Sequence, residues 1–329
     1  MLTSVIFIPS VGSLLLLLVG KNPRISRLVA LFFVILELIL VLILFVTFDR
    51  STTGYSFIER ANWVPLFNIQ YLLAVDGLSV SLVFLNAILG VVAVLISWTI
   101  TEKVREYFAL LLLLQTAVMG VFISMDMFLF FVFWELELIP MYFLIAKWGS
   151  GRKEYSAMKV LLFTLIGSAF MFISIIALYL SQPVADRTFD MMILAERDIS
   201  GLIPYAGLIS IGFLVAFAVK LPIFPFHTWL PDAHTDAPTA ISVMLAGVLL
   251  KMGGYGLIRI NAGLFPEQLS DLAPLLAIAA VINVLYGAFI VVRQTDIKRL
   301  IAYSSVSHMG FVVLGLSSFG GSVISTPAI

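Results

Sequence analysis

Ten long apolar runs separated by polar stretches set the pattern of this chain. They fall near 2–20, 26–48, 77–99, 107–124, 126–146, 157–181, 202–221, 239–260, 272–292 and 299–318. Each approaches the roughly 20 residues that a helix needs to cross a bilayer core. The pattern predicts an all-α, polytopic membrane helix bundle. Runs four and five are separated only by Ser124, Met125 and Asp126, and run seven stays apolar past Pro222 and Pro225 as far as Leu230. The longest polar stretches, 49–76 and 182–201, are each expected to carry a short hairpin or helix. The first charge, Lys21, follows the first run, so that run reads as a retained helix and not as a cleaved signal. Phe319–Ile329 reads as a loop directly after a helix, and the sequence reads as a piece of a longer protein.

Cationic residues give an orientation. With the N-terminus outside, the cytoplasmic loops hold Lys21, Arg24, Arg27, Lys103, Arg105, Lys147, Arg152, Lys153, Lys159, Arg293, Lys298 and Arg299. The outer loops hold Arg50, Arg60, Arg187, Arg197 and Arg259. This excess on one side predicts an outside N-terminus.

Composition agrees with a membrane protein: of 329 residues, 61% are hydrophobic and 12% charged. A soluble domain carries roughly a quarter charged residues. The net charge is zero, which gives no reason to expect nucleic acid as a partner. There is no cysteine, which removes disulfides, thiolate metal sites and thiolate-held iron–sulfur clusters on this chain.

Ionisable residues inside the runs carry the candidate chemistry, because each costs about 2.5–3.5 kcal/mol on insertion scales. Glu135 lies about 15 Å into run five, near mid-membrane. Glu137 is two residues on and points about 200° away in a regular helix, so it is given less weight. Lys251 sits near the middle of run eight, too deep for snorkelling. Lys220 precedes Pro222 and Pro225, which should leave the carbonyls of Ala218 and Leu221 without helical partners. Each of these residues can instead be a packing partner for a neighbouring helix. His227 and His308 are possible proton relays or hydrogen-bonded packing residues, and His234 is read as packing. Asp76, Asp232 and Asp236 lie near helix ends and read as caps or loop closures. The small residues of KMGGYG, 251–256, are expected to let helices approach closely.

The segments FWELELIPMYFLIAKWG (133–149), AVKLPIFPFHTWLPDAHTDAPTA (218–240), LLKMGGYGLIRI (249–260) and DIKRLIAYSSVSHMGF (296–311) resemble the antiporter-like M subunit family of respiratory complex I. That family includes mitochondrial subunit 4 and the D subunit of the photosynthetic complex. The resemblance implies about fourteen helices with two inverted five-helix repeats. Residues 1–106 then hold helices one to three, 107–262 the first repeat with a broken helix seven, and 263–329 the start of the second. The family's key glutamate falls on Glu135, its broken-helix lysine on Lys220 and its central lysine on Lys251, with His227 and His308 as possible relays. Glu135 and Lys220 are expected to face each other directly or through water. A hydrated path is expected from Lys220 through His227 to Lys251 and on toward His308. The broken twelfth helix has no counterpart in the sequence.

The implied function is proton translocation by a membrane subunit of an NADH (or other donor):quinone oxidoreductase. No redox centre is expected on this chain; quinone, flavin and iron–sulfur clusters belong to partner subunits. Partners would be other membrane subunits, further antiporter-like ones among them, and the lipid bilayer. The implied location is a bacterial plasma membrane, with a thylakoid or organellar inner membrane as the other settings. A cation/proton antiporter subunit, a subunit of an energy-converting hydrogenase and a structural scaffold are the competing readings.

Overall fold

A computed structural model describes residues 1–18, 22–49, 54–197, 199, 203 and 205–319. Two apolar helices open the chain, α1 (Leu2–Leu18) and α2 (Pro23–Thr47). Asn22 caps α2 by accepting from the Arg24 amide at 3.0 Å, and Pro23 supplies a first helical residue whose missing N–H costs nothing there. The polar stretch that follows is an antiparallel hairpin, β1 (Ser56–Val64) and β2 (Ile69–Val75), turning through Asn68 in the left-handed region. Glu59 on β1 reaches back to α1, where its carboxylate accepts from the Leu2 and Thr3 amides at 2.7 and 3.0 Å.

Helix α3 (Gly77–Ile96) starts at a capping box between Asp76 and Ser79. Helix α4 (Val104–Ile123) is the most deeply buried of the long apolar helices, with nearly every residue from Leu111 to Ile123 enclosed. At Gly120 an added Cβ would lie 2.2 Å from the Phe133 ring, so only glycine allows run five to pack this closely.

Run five is two helices, α5 (Met127–Leu136) and α6 (Leu138–Trp148), meeting in a turn at Glu137. The cause is Pro140, which has no N–H and whose ring displaces the carbonyl of residue 136. The sequence reading had one uninterrupted helix here. Helix α7 (Lys153–Ser181) follows, then a short α8 (Met191–Ala195) within the second polar stretch.

Run seven forms α9 (Ala206–Lys220), a break, a 3-10 turn at Phe226–Thr228 and α10 (Trp229–Asp236). The interruption falls where Pro222 and Pro225 place it. Helix α11 spans Thr239–Ala262 and contains two π-helical segments, Leu245–Leu249 and Leu257–Ala262. Helices α12 (Pro266–Val292) and α13 (Ile297–Phe319) form a closing hairpin.

Among the described residues, eight helical stretches are long and apolar enough to cross a membrane, counting α5–α6 as one; α1 and α9 are shorter apolar helices. Together they account for the ten runs. Large apolar side chains on α2, α7 and α12 face outward, Phe32, Ile39, Ile166, Ile173, Leu275 and Phe289 among them. A water-soluble protein does not leave such surface bare, and a bilayer covers it. The chain is an integral membrane protein.

Candidate functional site

The site is built where two interrupted helices meet. After Lys220 the helical ladder of α9 is re-routed: the Leu221 amide donates to Phe217 at 2.8 Å, and the Ile223 amide donates to the Ala218 carbonyl at 2.9 Å. The Ala218 carbonyl is therefore partnered, contrary to the sequence expectation, because the chain folds back within the break. Two side chains satisfy further backbone groups. Trp229 Nε1 donates to the Val219 carbonyl at 2.9 Å. Asn283 on α12 donates to the Pro222 carbonyl at 3.1 Å and accepts from the Phe224 amide at 2.7 Å. Protein groups thus take up polar backbone that has no other partner at membrane depth.

This scaffold holds Lys220 as the last residue of α9, 3% exposed. Its Nζ donates to Glu137 Oε1 in a buried ion pair, and its ammonium lies 5.5 Å from the centre of the Trp134 ring. Glu137 is fully enclosed, and its second oxygen, Oε2, has no hydrogen-bond partner. Glu135 is half-buried, beside the Ser168 hydroxyl and within Coulombic range of Lys220. The direct partner of Lys220 is thus Glu137, and Glu135 acts on it from farther away. Glu137 keeps right-handed helical angles, φ −66° and ψ −27°, and the two carboxylates have different neighbours, Lys220 in contact with Glu137 and Ser168 beside Glu135.

Helix α11 crosses the break at its glycines. A Cβ on Gly253 would lie 2.8 Å from the Leu221 amide nitrogen, and one on Gly256 2.3 Å from the Phe217 ring, so the small residues of KMGGYG do bring the helices together. Lys251, half-buried just before them, turns its Nζ to the carbonyl of Ala246 in the preceding π-helical segment. A π segment re-aims side chains within a helix and is frequent at functional sites.

The three histidines have different surroundings. His227 is buried with its ring against Phe224 and Tyr286, centroids 5.6 and 4.9 Å away, and Lys159 is the cation that acts on it. Its ring faces Tyr286 of α12, and Lys159 belongs to α7. His308 lies on α13 with its side chain on the exposed face of this chain. His234, read from sequence as packing, is 1% exposed with Nε2 unpartnered, and both Lys251 and Lys298 lie within Coulombic range.

The aspartates do more than cap. Asp76 accepts from Arg259 at 2.6 Å, and the guanidinium also rests on Tyr55 and Tyr255. Arg259 therefore belongs to α11 and not to an outer loop. Asp232 receives Lys159 at 2.7 Å and Arg299 at 3.5 Å, tying α10 to α7 and α13. Asp236 accepts from the Ser156 hydroxyl at 2.5 Å. Sequence reasoning passed over Glu37 on α2, which is fully buried; its signal was the rule applied elsewhere, that a charge within an apolar run needs an explanation.

A mainly helical membrane bundle with a broken helix that presents a buried lysine to a carboxylate defines the class: a polytopic membrane protein built around an enclosed ion pair. Residues 124–326 match the family described as NADH:quinone oxidoreductase/Mrp antiporter, transmembrane region, and the chain belongs to that family. Among curated relatives, NAD(P)H-quinone oxidoreductase chain 4 3 of Picosynechococcus sp. is 44% identical over 97% of this chain and 58% of its own length. Chain 4-2 of Synechocystis sp. is 43% identical over 97% of this chain and 56% of its own. The chain thus spans somewhat more than half the length of these relatives. Of solved structures, a chain of respiratory complex I from Thermus thermophilus with bound NADH superposes with a TM-score of 0.85 at 30% identity, covering 97% of this chain and 65% of that one. A chain of an archaeal membrane-bound sulfane sulfur reductase shares the fold, with a TM-score of 0.80 at 23% identity over 95% of this chain and 51% of that one.

Proposed function

We propose that this chain belongs to the proton-translocating membrane part of an NAD(P)H:quinone oxidoreductase and couples quinone reduction on other subunits to proton movement. The observation that carries the reading is the enclosed Glu137–Lys220 pair at the break of α9. A fixed scaffold needs no such pair, since well-packed apolar residues of similar volume are often as stable or more so. Opposite charges hold each other ionised while burial opposes both. Separating them therefore drives proton release from Lys220 or proton uptake by Glu137, and re-forming the pair reverses it. Glu135, also within range of Lys220, offers a second carboxylate to which the ammonium can swing.

From the break, the next protonatable groups are Lys251 on the helix packed against Leu221 and His234 near it. We place the lateral route through these two in preference to His227 and His308. Quinone, flavin and iron–sulfur centres belong on partner subunits, and the N-terminus lies outside a bacterial plasma or thylakoid membrane.

The second reading, a subunit of a multisubunit cation/proton antiporter, is supported by the matched family, which spans both kinds of assembly. Isolating the intact assembly that contains this chain decides between them. Co-purifying flavin and iron–sulfur subunits are the expected result; an assembly of membrane subunits alone would overturn the oxidoreductase reading in favour of the antiporter.

A further inference from the structure

Glu37 stands in the middle of α2, about 21 Å along the helix from Pro23. It is 0% exposed, and among the described residues the one polar side chain that reaches toward its carboxyl is Gln115, without a hydrogen bond of standard geometry to either oxygen. Among the described residues, the helices packed most closely on α2 offer no countercharge at this depth. Helices α1 and α3 contain no charged residue, and the charges of α4, Arg105 and Glu106, lie in its first turn, about 15 Å along the axis from Gln115.

Two carboxamides accompany the carboxyl group instead. Gln115 on α4 lies beside Glu37 and is 1% exposed; Asn86 on α3 is 0% exposed. They are locked to each other's helices, Gln115 Nε2 donating to the Asn86 carbonyl at 2.8 Å and Asn86 Nδ2 to the Gln115 carbonyl at 3.5 Å. Gly90 makes this possible, because a Cβ there would lie 2.6 Å from Gln115 Nε2. Their oxygens, Asn86 Oδ1 and Gln115 Oε1, are also buried without a donor.

The three side chains thus bring buried acceptors together with too few donors. A bare carboxylate at this depth requires a positive charge. A hard metal cation would need a shell of about six oxygens, and the cluster leaves four donorless ones: two on Glu37 and one on each carboxamide. A proton needs only one oxygen to hold it and turns Glu37 into a donor.

We propose that Glu37 is a proton-binding site in the N-terminal helices, kept as a neutral carboxylic acid beside Asn86 and Gln115 and separate from the Glu137–Lys220 pair. The site is independent of which assembly the chain serves.

Infrared difference spectroscopy on the intact assembly at neutral pH tests it. A carbonyl stretch of a protonated carboxyl that shifts in D2O is expected in the native protein, absent in Glu37→Gln and displaced in Glu37→Asp. Dicyclohexylcarbodiimide, which adds to protonated carboxyls in apolar surroundings, should mass-label the peptide carrying Glu37. If Glu37→Gln fails to assemble, the displacement in Glu37→Asp and the label on the native chain decide. The same carboxyl spectrum in native and Glu37→Asp protein, together with no label at Glu37, would overturn the proposal. So would a sodium-dependent loss of the band, which would make the site one for a metal cation.

Discussion

At the residue scale, the behaviour of Lys220 depends on which carboxylate answers it. Glu137 is fully enclosed and in contact, whereas Glu135 is half-buried and acts at longer range. Removing one partner of a buried pair typically costs about 3–5 kcal/mol, because it strands a charge without a countercharge. Glu137→Gln is therefore expected to lower the thermal stability of the assembly more than Glu135→Gln does. In a double-mutant cycle with Lys220→Met, the Glu137 pair should show a coupling energy of at least about 1 kcal/mol. Additive effects at Glu137 and Lys220 would mean that the two do not interact. The sequence marked Lys220 and both glutamates as candidates. It did not show which carboxylate binds, because that depends on which face of run five packs against the end of α9, a tertiary contact without a sequence period.

At the element scale, the break in α9 depends on Asn283 of the closing hairpin. Asn283→Ala leaves the Pro222 carbonyl and the Phe224 amide without their partners. Each unsatisfied buried group costs about 1–3 kcal/mol. A clear fall in melting temperature is expected, with Asn283→Asp intermediate because it keeps the acceptor; an unchanged melt for the alanine variant would show that the break is held otherwise. The β1–β2 hairpin carries a pH dependence. Burial pushes the Asp126 carboxyl up to about 6, against three backbone donors, with Asp190 nearby adding to the rise. A carboxyl raised in the fold binds its proton more tightly there than in the unfolded chain. Its stabilising effect is full below about pH 4 and fades as pH climbs through about 6, a change of about 3 kcal/mol. Hydrogen exchange in β1 and β2, corrected for intrinsic rates, should be slower at pH 4.5 than at pH 7, and Asp126→Asn should remove the difference. Equal protection at both pH values in the native protein would contradict this. The helices themselves were legible because a bilayer demands long apolar runs. The sequence of 49–76 admits either a hairpin or a helix, since Ser56–Val75 neither spans the membrane nor shows a helical face.

At the scale of the whole molecule, the polar groups fall into separate stations: Asp76 with Arg259, Glu137 with Lys220, Lys251 with His234, and Asp232 with its cations. Motif spacing identified most of the members. It did not give their grouping, because His227 was assigned by its nearness in sequence to the break, while the 3-10 turn directs its ring to Tyr286. If the lateral route runs through His234, His234→Ala should impair proton movement more than His308→Ala, measured as uptake into vesicles at matched assembly; the reverse order would restore the path expected from sequence. The claim on which the account rests is that the Glu137–Lys220 pair moves protons and is not a structural tie. The direct measurement is proton translocation per turnover by the intact assembly in sealed proteoliposomes, comparing native protein with Glu137→Gln and Lys220→Met at equal assembly. Loss of a group that transfers the proton should reduce translocation at least about tenfold. Native translocation in fully assembled Lys220→Met protein would contradict the account.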